Sequence, residues 1–449
     1  MIEAPEIPRI EGHALMRVVL DGNIIDDVHF IIWEGERFFE KLLVAKHISD
    51  APMLASRICG ICYIAHGLGA KYAILNALSG EVIMPNAYDM ALCIAGILQS
   101  HAIHLCVLSL PDALGVESIL DMDKKLQHEV MGLRDKTYEI VARLAGRSVH
   151  PTLFHGKYLE HVNYGKIGEL AADVKKGFER LLDVFIEHSF EWERSGTIAC
   201  LDRVLNAKKL ILSIANSEKK DAARGNEYNA RQGTMNGCYE ESKYNANNVN
   251  IIDAMEYGNA YSMREVYGRK RWRVMERSTL VGPMARVLLC TKSAMKEYGL
   301  SLGSTKVWDI NIARCVESIH YSGVLIDLID DLSSKSLEGK RFMHEIDSLI
   351  SSKDRARPKH DTGEGICLSE APRGVLVYHF AISDDRISWA RIITPTAVNA
   401  EDIENTLKAN MVGEKYDPNS VKEAMKAIRC YDPCLSCAVH AIRTSIGYK

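Results

Sequence analysis

The sequence predicts an α+β protein in which a large helical bundle forms the core and antiparallel β-hairpins lie at the periphery. Two observations support this class. Long stretches of helical hydrophobic periodicity occupy the middle of the chain, and shorter stretches near both ends alternate between apolar and polar residues around turn signals. The sequence has no internal repeat, low-complexity tract or clean linker, so we expect residues 1–449 to form a single intertwined domain.

Two segments are expected to form the β-hairpins. In residues 14–33, apolar and polar residues alternate on both sides of Asp21-Gly22-Asn23, which favours a tight turn. Residues 374–382 and 386–394 show the same alternation around Asp384-Asp385. The sequence therefore predicts one antiparallel strand pair near each end of the chain.

Four stretches are expected to form long helices. Residues 86–109 are apolar on almost every side, which indicates a buried helix, and Pro111 is expected to end it. Further helices are predicted at residues 124–145, 167–193 and 312–332. The polar run 219–248 interrupts this pattern and is predicted to be an excursion from the bundle.

Composition and charge exclude several classes of protein. The 449 residues are 47% hydrophobic and 25% charged, so the chain can bury a sizeable core. Its net charge of -4 offers no cationic surface for nucleic acid or an anionic membrane. The N-terminal residues lack the basic and apolar regions of a signal peptide, and no apolar run approaches the ~20 residues of a spanning helix. We expect a soluble protein without a membrane span that binds no nucleic acid.

Two cysteine pairs stand out among the twelve cysteines. Twelve cysteines could form a disulfide framework, but such frameworks are typical of small secreted chains that lack a core, whereas this chain is long and can bury a large one. Cys59 and Cys62 form one C-x-x-C pair, and Cys434 and Cys437 form another near the opposite end. This spacing lets both thiolates of a pair bind one metal from a tight turn or a helix start. Spacing alone favours structural zinc and leaves open a redox dithiol. Other cysteines are predicted to be small buried hydrophobic residues, among them Cys93, Cys106, Cys367 and Cys430.

The residues around the two pairs favour a redox-active metal over zinc. His66 and His440 follow the pairs, and Asp432-Pro433 precedes the second pair. Groups of this kind orient metal ligands and carry protons. By contrast, His101 and His104 lie three residues apart on the predicted apolar helix, where histidines are more often hydrogen-bonded core residues than ligands.

The two cysteine motifs resemble the signature motifs of nickel-iron hydrogenase large subunits. The resemblance extends in family order across nearly the whole chain. The further matching blocks are Arg9-Ile10-Glu11-Gly12-His13, Arg37-Phe38-Phe39-Glu40, Gly146-Arg147-Ser148-Val149-His150-Pro151, Glu370-Ala371-Pro372-Arg373-Gly374 and Pro395-Thr396. Within the family, the chain is most similar to cytoplasmic bidirectional enzymes of the sulfhydrogenase and NAD(P)-linked type, with F420-reducing and heterodisulfide-reductase-linked enzymes as alternatives.

The resemblance implies a catalytic large subunit that cleaves H2 reversibly and heterolytically into protons and electrons. It implies a nickel-iron centre that carries CO and cyanide on the iron. Cys59 and Cys434 match the terminal nickel ligands, and Cys62 and Cys437 match the ligands that bridge nickel and iron. Thiolate is a suitable ligand for both metals.

The resemblance also implies roles beside the metals. Glu11 matches a proton-transfer glutamate next to a terminal cysteine, where it would act with Cys434. Arg373 and Thr396 match positions that hydrogen-bond the CO and cyanide ligands, and Pro372 lies in the same motif. The alternatives are a solvated carboxylate or backbone cap for Glu11 and an ordinary surface arginine for Arg373.

A second metal ion is implied near the C-terminus. Glu40 and His440 match the ligands of a structural magnesium or iron ion, although Glu40 is also one acid among several in its segment. Ser100 stands where membrane-bound relatives have an aspartate. Residues 441–449 resemble the extension that a maturation endopeptidase removes.

Partners are needed because the chain has no further four-cysteine set for iron-sulfur clusters and no Gly-x-Gly-x-x-Gly at a helix start. The resemblance implies an iron-sulfur small subunit, and beyond it flavin and iron-sulfur subunits that pass electrons to NAD(P) or a similar acceptor. It also implies a cytoplasmic location. The rival interpretations are a zinc-stabilised scaffold and a non-catalytic relative such as the quinone-site subunit of respiratory complex I, against which the four cysteines argue.

Overall fold

The computed structural model describes thirteen segments of the chain, and all structural statements refer to them. They are residues 2–35, 38–80, 82–151, 162–188, 190–194, 197–202, 211–216, 249–253, 261–266, 269–274, 278–289, 306–334 and 363–439. The predicted excursion 219–248 and the extension 441–449 lie outside them. Long helices and mainly antiparallel sheets alternate in these segments, which confirms the predicted α+β class.

The first sheet contains the predicted N-terminal hairpin. Its strands are β1 (Ile2–Glu6), β2 (Ala14–Asp21) and β3 (Ile24–Ile32), antiparallel in the order β1-β2-β3. β2 and β3 join through Gly22-Asn23, within the predicted turn. β1 was not predicted, and its proline is tolerated because β1 is an edge strand.

Seven α-helices follow β3 in the described segments, and three of the predicted helices lie among them. They are α1 (Phe39–Leu43), α2 (Ala51–Ala55), α3 (Tyr63–Ser79), α4 (Ala87–Ile103), α5 (Leu110–Leu114), α6 (Lys124–Ala145) and α7 (Tyr164–Glu187). α6 matches its predicted bounds, and the Asp123 side chain caps its N-terminus. α7 begins and ends earlier than predicted, and its buried apolar stripe packs against the bundle.

The predicted end of α4 at Pro111 was wrong. Regular α-helix ends at Ile103, and the chain continues as a π-helix over His104–Ser109 before α5 begins. Pro111 lies in the first turn of α5, where its missing N–H costs no intrahelical hydrogen bond. No membrane-spanning stretch was expected, yet the combined helix Ala87–Leu114 is long and apolar enough to cross a membrane. However, 78% of its most apolar 18-residue stretch is buried within the protein.

The middle of the described chain adds strands and two helices. The strands are β4 (Thr197–Asp202), β5 (Ile211–Asn216), β6 (Val249–Asp253), β7 (Tyr261–Val266), β8 (Arg269–Val274) and β9 (Thr279–Val281). They form a sheet of order β6-β5-β4-β9 and a β7-β8 pair. Two helices, α8 (Pro283–Leu289) and α9 (Asp309–Ser334), follow, and α9 confirms the predicted helix 312–332.

The C-terminal sheet and three helices complete the fold. The strands are β10 (Gly363–Ala371), β11 (Gly374–Ser383) and β12 (Arg386–Ile393), and the helices are α10 (Pro395–Met411), α11 (Pro418–Cys430) and α12 (Leu435–Ala438). β11 and β12 form the predicted hairpin, and Asp384 and Asp385 both have positive φ, as a type I′ turn requires. β10 was not predicted, and it pairs with β11 through a turn at Pro372-Arg373.

Candidate metal centre

The four motif cysteines meet at one buried point. Cys59 and Cys62 lie in the loop before α3, whereas Cys434 and Cys437 lie at the start of α12 and within it. The Cys59 and Cys434 sulfurs are 3.3 Å apart, and so are the Cys62 and Cys437 sulfurs. All four Sγ atoms lie within 4.8 Å of one another, and none of these four cysteines is more than 7% exposed. Two short turns, 375 residues apart in sequence, therefore build one thiolate cluster.

The chemistry of this cluster fits soft metal ions. Hydrogen bonds from the other three sulfurs lower the pKa of the Cys59 thiol, whereas burial raises the pKa of the Cys434 and Cys437 thiols. The backbone N–H groups of Ile61 and Cys62 also donate to the Cys59 sulfur. The pKa of the other three thiols is raised, so four thiolates at this buried point would need a bound cation to compensate their charge.

Glu11 lies directly beside the cluster. The Cys434 thiol donates to Glu11 Oε2 at 3.1 Å, and the backbone N–H of Leu435 donates to the Glu11 carbonyl at 3.0 Å. The Ser436 N–H and hydroxyl donate to the two carboxylate oxygens at 3.2 and 2.5 Å. Glu11 is only partly buried, whereas Cys434 is fully buried, so the buried thiol contacts a residue that reaches solvent. Ser436 was not predicted as a site residue, because a serine hydroxyl near a helix start commonly caps the helix.

Arg373 reaches the cluster from the turn between β10 and β11. Its guanidinium donates to Asp432 Oδ1 at 2.9 Å, to the Asp432 carbonyl at 2.5 Å and to Ser100 Oγ at 3.5 Å. Arg373 is 3% exposed, so the alternative of a surface arginine was wrong. Burial opposes ionisation of Asp432, but Arg373 and His104 hold the pKa of this carboxyl well below its ordinary range.

A small cavity adjoins the cysteines on the side of Arg373. Its lining consists of Cys62, His66, Ala371, Pro372, Arg373, Leu376, Pro395, Thr396, Cys434 and Cys437. The Cys434 N–H donates to Thr396 Oγ1 at 3.0 Å, so Thr396 also fixes the second cysteine motif. The structure therefore brings the predicted residues Pro372, Arg373 and Thr396 to one wall beside the sulfurs.

His66 contacts the cluster from α3. Its Nε2 lies 3.5 Å from the Cys437 sulfur, and its Nδ1 lies 2.7 Å from the Tyr378 hydroxyl. The Tyr378 ring packs against Gly69, where a Cβ atom would lie 2.7 Å from Cδ2 of the ring. Tyr378 was not predicted as a site residue because its strand sequence carries no sign of a histidine partner.

His101 and His104 are hydrogen-bonded core residues, as predicted. His101 Nε2 lies 2.8 Å from Glu317, and burial lowers the pKa of His101 to about 4. His104 Nε2 lies 3.0 Å from Asn311, and its Nδ1 lies 3.2 Å from Asp432 Oδ1. Neither histidine belongs to the metal-ligand group found among the described residues.

The remaining predictions concern Glu40, His440 and the other cysteines. Glu40 is buried in α1, and its carboxylate accepts the Ile392 N–H at 2.7 Å. Its expected partner His440 lies outside the described residues. The nine cysteines whose side chains are described are all free thiols. Cys106, Cys367 and Cys430 are buried as predicted, whereas Cys93 is half-buried.

Comparison with known proteins assigns a family to this arrangement. The family model described as nickel-dependent hydrogenase matches residues 37–150 and 238–440, which is more than half of the chain. The two cysteine motifs and the Arg373 turn lie within the matched segments.

Individual relatives match over nearly the full length. The sulfhydrogenase 2 subunit alpha of Pyrococcus furiosus is 27% identical over 455 residues, covering 99% of this chain and 100% of the relative. The NAD-reducing hydrogenase HoxS subunit beta of Cupriavidus necator is 25% identical, covering 97% and 94%. A solved structure of an NAD+-reducing [NiFe]-hydrogenase in the H2-reduced state is similar in fold, with a TM-score of 0.69 and 21% identity over 98% of this chain and 99% of that one.

Proposed function

The chain belongs to the nickel-dependent hydrogenase family as a large subunit that acts on H2, and we propose that its cysteine cluster holds a nickel-iron centre that splits H2 heterolytically. One observation carries the proposal. A single buried point brings together four sulfurs, those of Cys59, Cys62, Cys434 and Cys437. A carboxylate and a buried arginine lie beside them, whereas a bare pair of zinc knuckles would need neither. When bound, the two metals would supply the Lewis-acid and redox chemistry of H2 cleavage.

The four thiolates have unequal positions in the proposal. Cys59 and Cys434 would hold nickel as terminal ligands, and Cys62 and Cys437 would be shared between nickel and iron. The division between terminal and bridging ligands rests on the family resemblance of the two motifs. The cavity beside the sulfurs, which is lined by Cys62, Cys434 and Cys437, is the space that could admit small ligands on an iron. Thiolate donors suit both metals.

Glu11 is the proposed proton acceptor. Its Oε2 already accepts a hydrogen bond from the Cys434 thiol at 3.1 Å, within the range over which a general base takes a proton. Two donors from Ser436 hold the carboxylate in this orientation. Because Glu11 is partly exposed, a proton that it receives from Cys434 can leave toward the surface.

Arg373, Thr396 and Pro372 form the proposed site for CO and cyanide on the iron. The three side chains line the cavity beside Cys62 and Cys437. A buried guanidinium is a strong donor to an anionic ligand, because charge-assisted hydrogen bonds gain strength where water is excluded. Asp432 holds the Arg373 side chain at this wall.

Glu40 and His440 are the proposed ligands of a magnesium or iron ion near the C-terminus. The burial of Glu40 supports a structural role for its carboxylate, since a buried carboxylate needs compensating partners. The Ile392 N–H supplies one of these partners. The family resemblance supplies His440.

The proposed assembly contains an iron-sulfur small subunit and flavin and iron-sulfur subunits that deliver electrons to NAD(P) or a similar acceptor in the cytoplasm. Relatives named as subunits of sulfhydrogenase and NAD-reducing hydrogenase support it. An F420-linked acceptor is the second candidate, because the relatives include a coenzyme F420 hydrogenase subunit alpha.

The proposed large subunit forms one domain. One hydrophobic cluster of the described residues runs from Ile7 to Val439, which supports the prediction of a single domain.

Metal analysis and infrared spectroscopy of the natively matured complex test the proposal. We expect nickel and iron in the protein and infrared bands of iron-bound CO and cyanide. Zinc as the sole metal, without these bands, would contradict the proposal and support the zinc-stabilised scaffold.

A further inference from the structure

Arg286 in α8 contacts the turn that carries Arg373 into the cavity. Its Nη1 donates to the Ala371 carbonyl at 3.0 Å, and its Nη2 donates to the Pro372 carbonyl at 3.1 Å. These carbonyls belong to the two residues that precede Arg373. The backbone position of Arg373 therefore depends on hydrogen bonds from a side chain on another element.

The rest of the Arg286 guanidinium is bound by two carboxylates. Nε and Nη2 donate to the two oxygens of Glu317 at 2.5 and 2.8 Å, and Nη1 donates to Glu370 at 2.5 Å. These three bonds and the two carbonyl bonds account for all five N–H donors of an arginine. Arg286 is 2% exposed, so water cannot replace a lost bond. Lysine has three donors and no planar fork, so it cannot reproduce the set.

Glu317 is itself held from the opposite side. His101 Nε2 of α4 lies 2.8 Å from Glu317 Oε2. Burial opposes ionisation of Glu317, but Arg286 lowers its pKa to about 2, so the carboxylate stays charged. Arg286 thus joins α8 to α9 and to the β10-β11 turn, and Glu317 extends this network to α4.

Gly282 and Asn399 hold the turn at Arg373. Gly282 has a φ of +118°, and a Cβ atom there would lie 2.6 Å from the Arg373 carbonyl oxygen. The Asn399 amide donates to the carbonyls of Val281 and Arg373 at 3.2 and 3.4 Å. The turn is therefore held by Arg286 at Ala371 and Pro372, and by Gly282 and Asn399 at Arg373.

We propose that Arg286 is a positioning residue for the proposed H2-splitting site, because its fork fixes the turn at Ala371-Pro372 and thereby aims the Arg373 guanidinium at the cavity. Arg286 is not among the residues that line the cavity, so its effect passes through Arg373. The inference rests on the proposed function, since Arg373 acts on ligands of the nickel-iron centre.

The test compares Arg286→Lys with Arg194→Lys in the natively matured complex. Arg194 is an equally buried arginine that makes a bidentate pair with Asp402 of α10 instead of binding the turn. For Arg286→Lys we expect shifted infrared bands of iron-bound CO and cyanide, faster amide hydrogen exchange at Ala371 and Gly374, and a loss of kcat of up to about a hundredfold. For Arg194→Lys we expect unshifted bands and unchanged exchange at the turn.

A double-mutant cycle with Arg373→Lys separates positioning from general packing. If Arg286 acts through Arg373, Arg286→Lys should shift the bands much less in the Arg373→Lys background than in the wild type. Equal shifts in both backgrounds, or wild-type bands in Arg286→Lys, would overturn the inference. If Arg286→Lys fails to mature, Glu370→Gln takes its place, because it keeps the shape but removes one charged acceptor of the fork. Absence of the bands from the wild type would instead refute the proposed function.

Discussion

Cys434 and Glu11 lie 423 residues apart in the sequence, yet the Cys434 sulfur donates to the Glu11 carboxylate at 3.1 Å. The contact forms because the segment between β1 and β2 runs beside the second cysteine motif, where the Leu435 N–H donates to the Glu11 carbonyl. Backbone and side chain of Glu11 are thus both tied to this motif. The candidate metal ligand Cys434 and the proposed proton acceptor Glu11 are thereby held in a fixed relative position.

Glu11→Gln should abolish most of the activity without loss of metal. The amide keeps the shape of the carboxylate and still accepts from Ser436, but it cannot take a proton from Cys434. We expect H2 oxidation to fall by about 10²- to 10⁴-fold, measured with an artificial electron acceptor, while nickel content stays unchanged. Ser436→Ala is the control for orientation, with a smaller loss. Activity within a few-fold of wild type in Glu11→Gln would refute proton transfer through this residue.

Asp432→Asn should destabilise the protein more than a typical surface change. Asp432 is the charged partner of the buried Arg373, and removal of one member of a buried ion pair costs about 3–5 kcal/mol. We expect a lower midpoint temperature of unfolding in the matured complex, measured by calorimetry at neutral pH. The exposed pair Lys136–Asp173 offers a matched control, since Asp173→Asn should leave the midpoint nearly unchanged.

Elements that depend on local sequence were predictable, whereas β10, which depends on its contact with another element, was not. Asp384-Asp385 encodes its own turn, and residues 124–145 carry a complete helical pattern and a capping Asp123. β10 was missed because it contains glycines, which disfavour strands. A Cβ atom at Gly365 would lie 2.2 Å from the Ala73 carbonyl oxygen, so close contact with α3 explains the glycine there.

The candidate site divides in the same way. The cysteines could be found from spacing and context, because C-x-x-C is a local signal. The partners that fix the site could not be found, since they pair across long separations in sequence: Arg373 with Asp432, and Arg286 with Glu317. A buried arginine requires a carboxylate partner, but only the fold determines which carboxylate that is.

Gly69→Ala should disturb the His66 contact to the cluster. The added methyl would lie 2.7 Å from the Tyr378 ring, which is fully buried and cannot move without repacking. We expect a loss of about 1–3 kcal/mol from overpacking, measured as a lower midpoint of thermal unfolding. Tyr378→Phe is the companion variant, because it keeps the ring and removes only the hydroxyl that contacts His66 Nδ1. Unchanged stability in Gly69→Ala would show that Tyr378 can shift freely.

The proposed maturation step predicts the mass of the active chain. If a maturation endopeptidase removes residues 441–449, the purified active subunit should end at His440. Intact-mass analysis of the active complex and of chain produced without nickel should then differ by the mass of this segment. An active chain that ends at Lys449 would refute the cleavage.

Stability should fall with acidification between about pH 6.5 and 4 because of His101. Burial lowers the pKa of His101 to about 4 in the folded protein, although Glu317 opposes this shift and Arg314 and Arg286 reinforce it. Over this range the unfolded chain binds a proton that the folded chain does not, so folding becomes less favourable as the pH falls.

The expected loss from His101 is roughly 3 kcal/mol over this interval, at about 1.36 kcal/mol for each unit of pKa difference. Glu317 stays ionised throughout, since its pKa is lowered to about 2. His101→Gln keeps a donor toward Glu317 but cannot titrate. Midpoints of thermal unfolding, measured from pH 4 to 7 for both proteins, should therefore fall less steeply in the variant. Parallel curves would mean that His101 takes up its proton in the folded state.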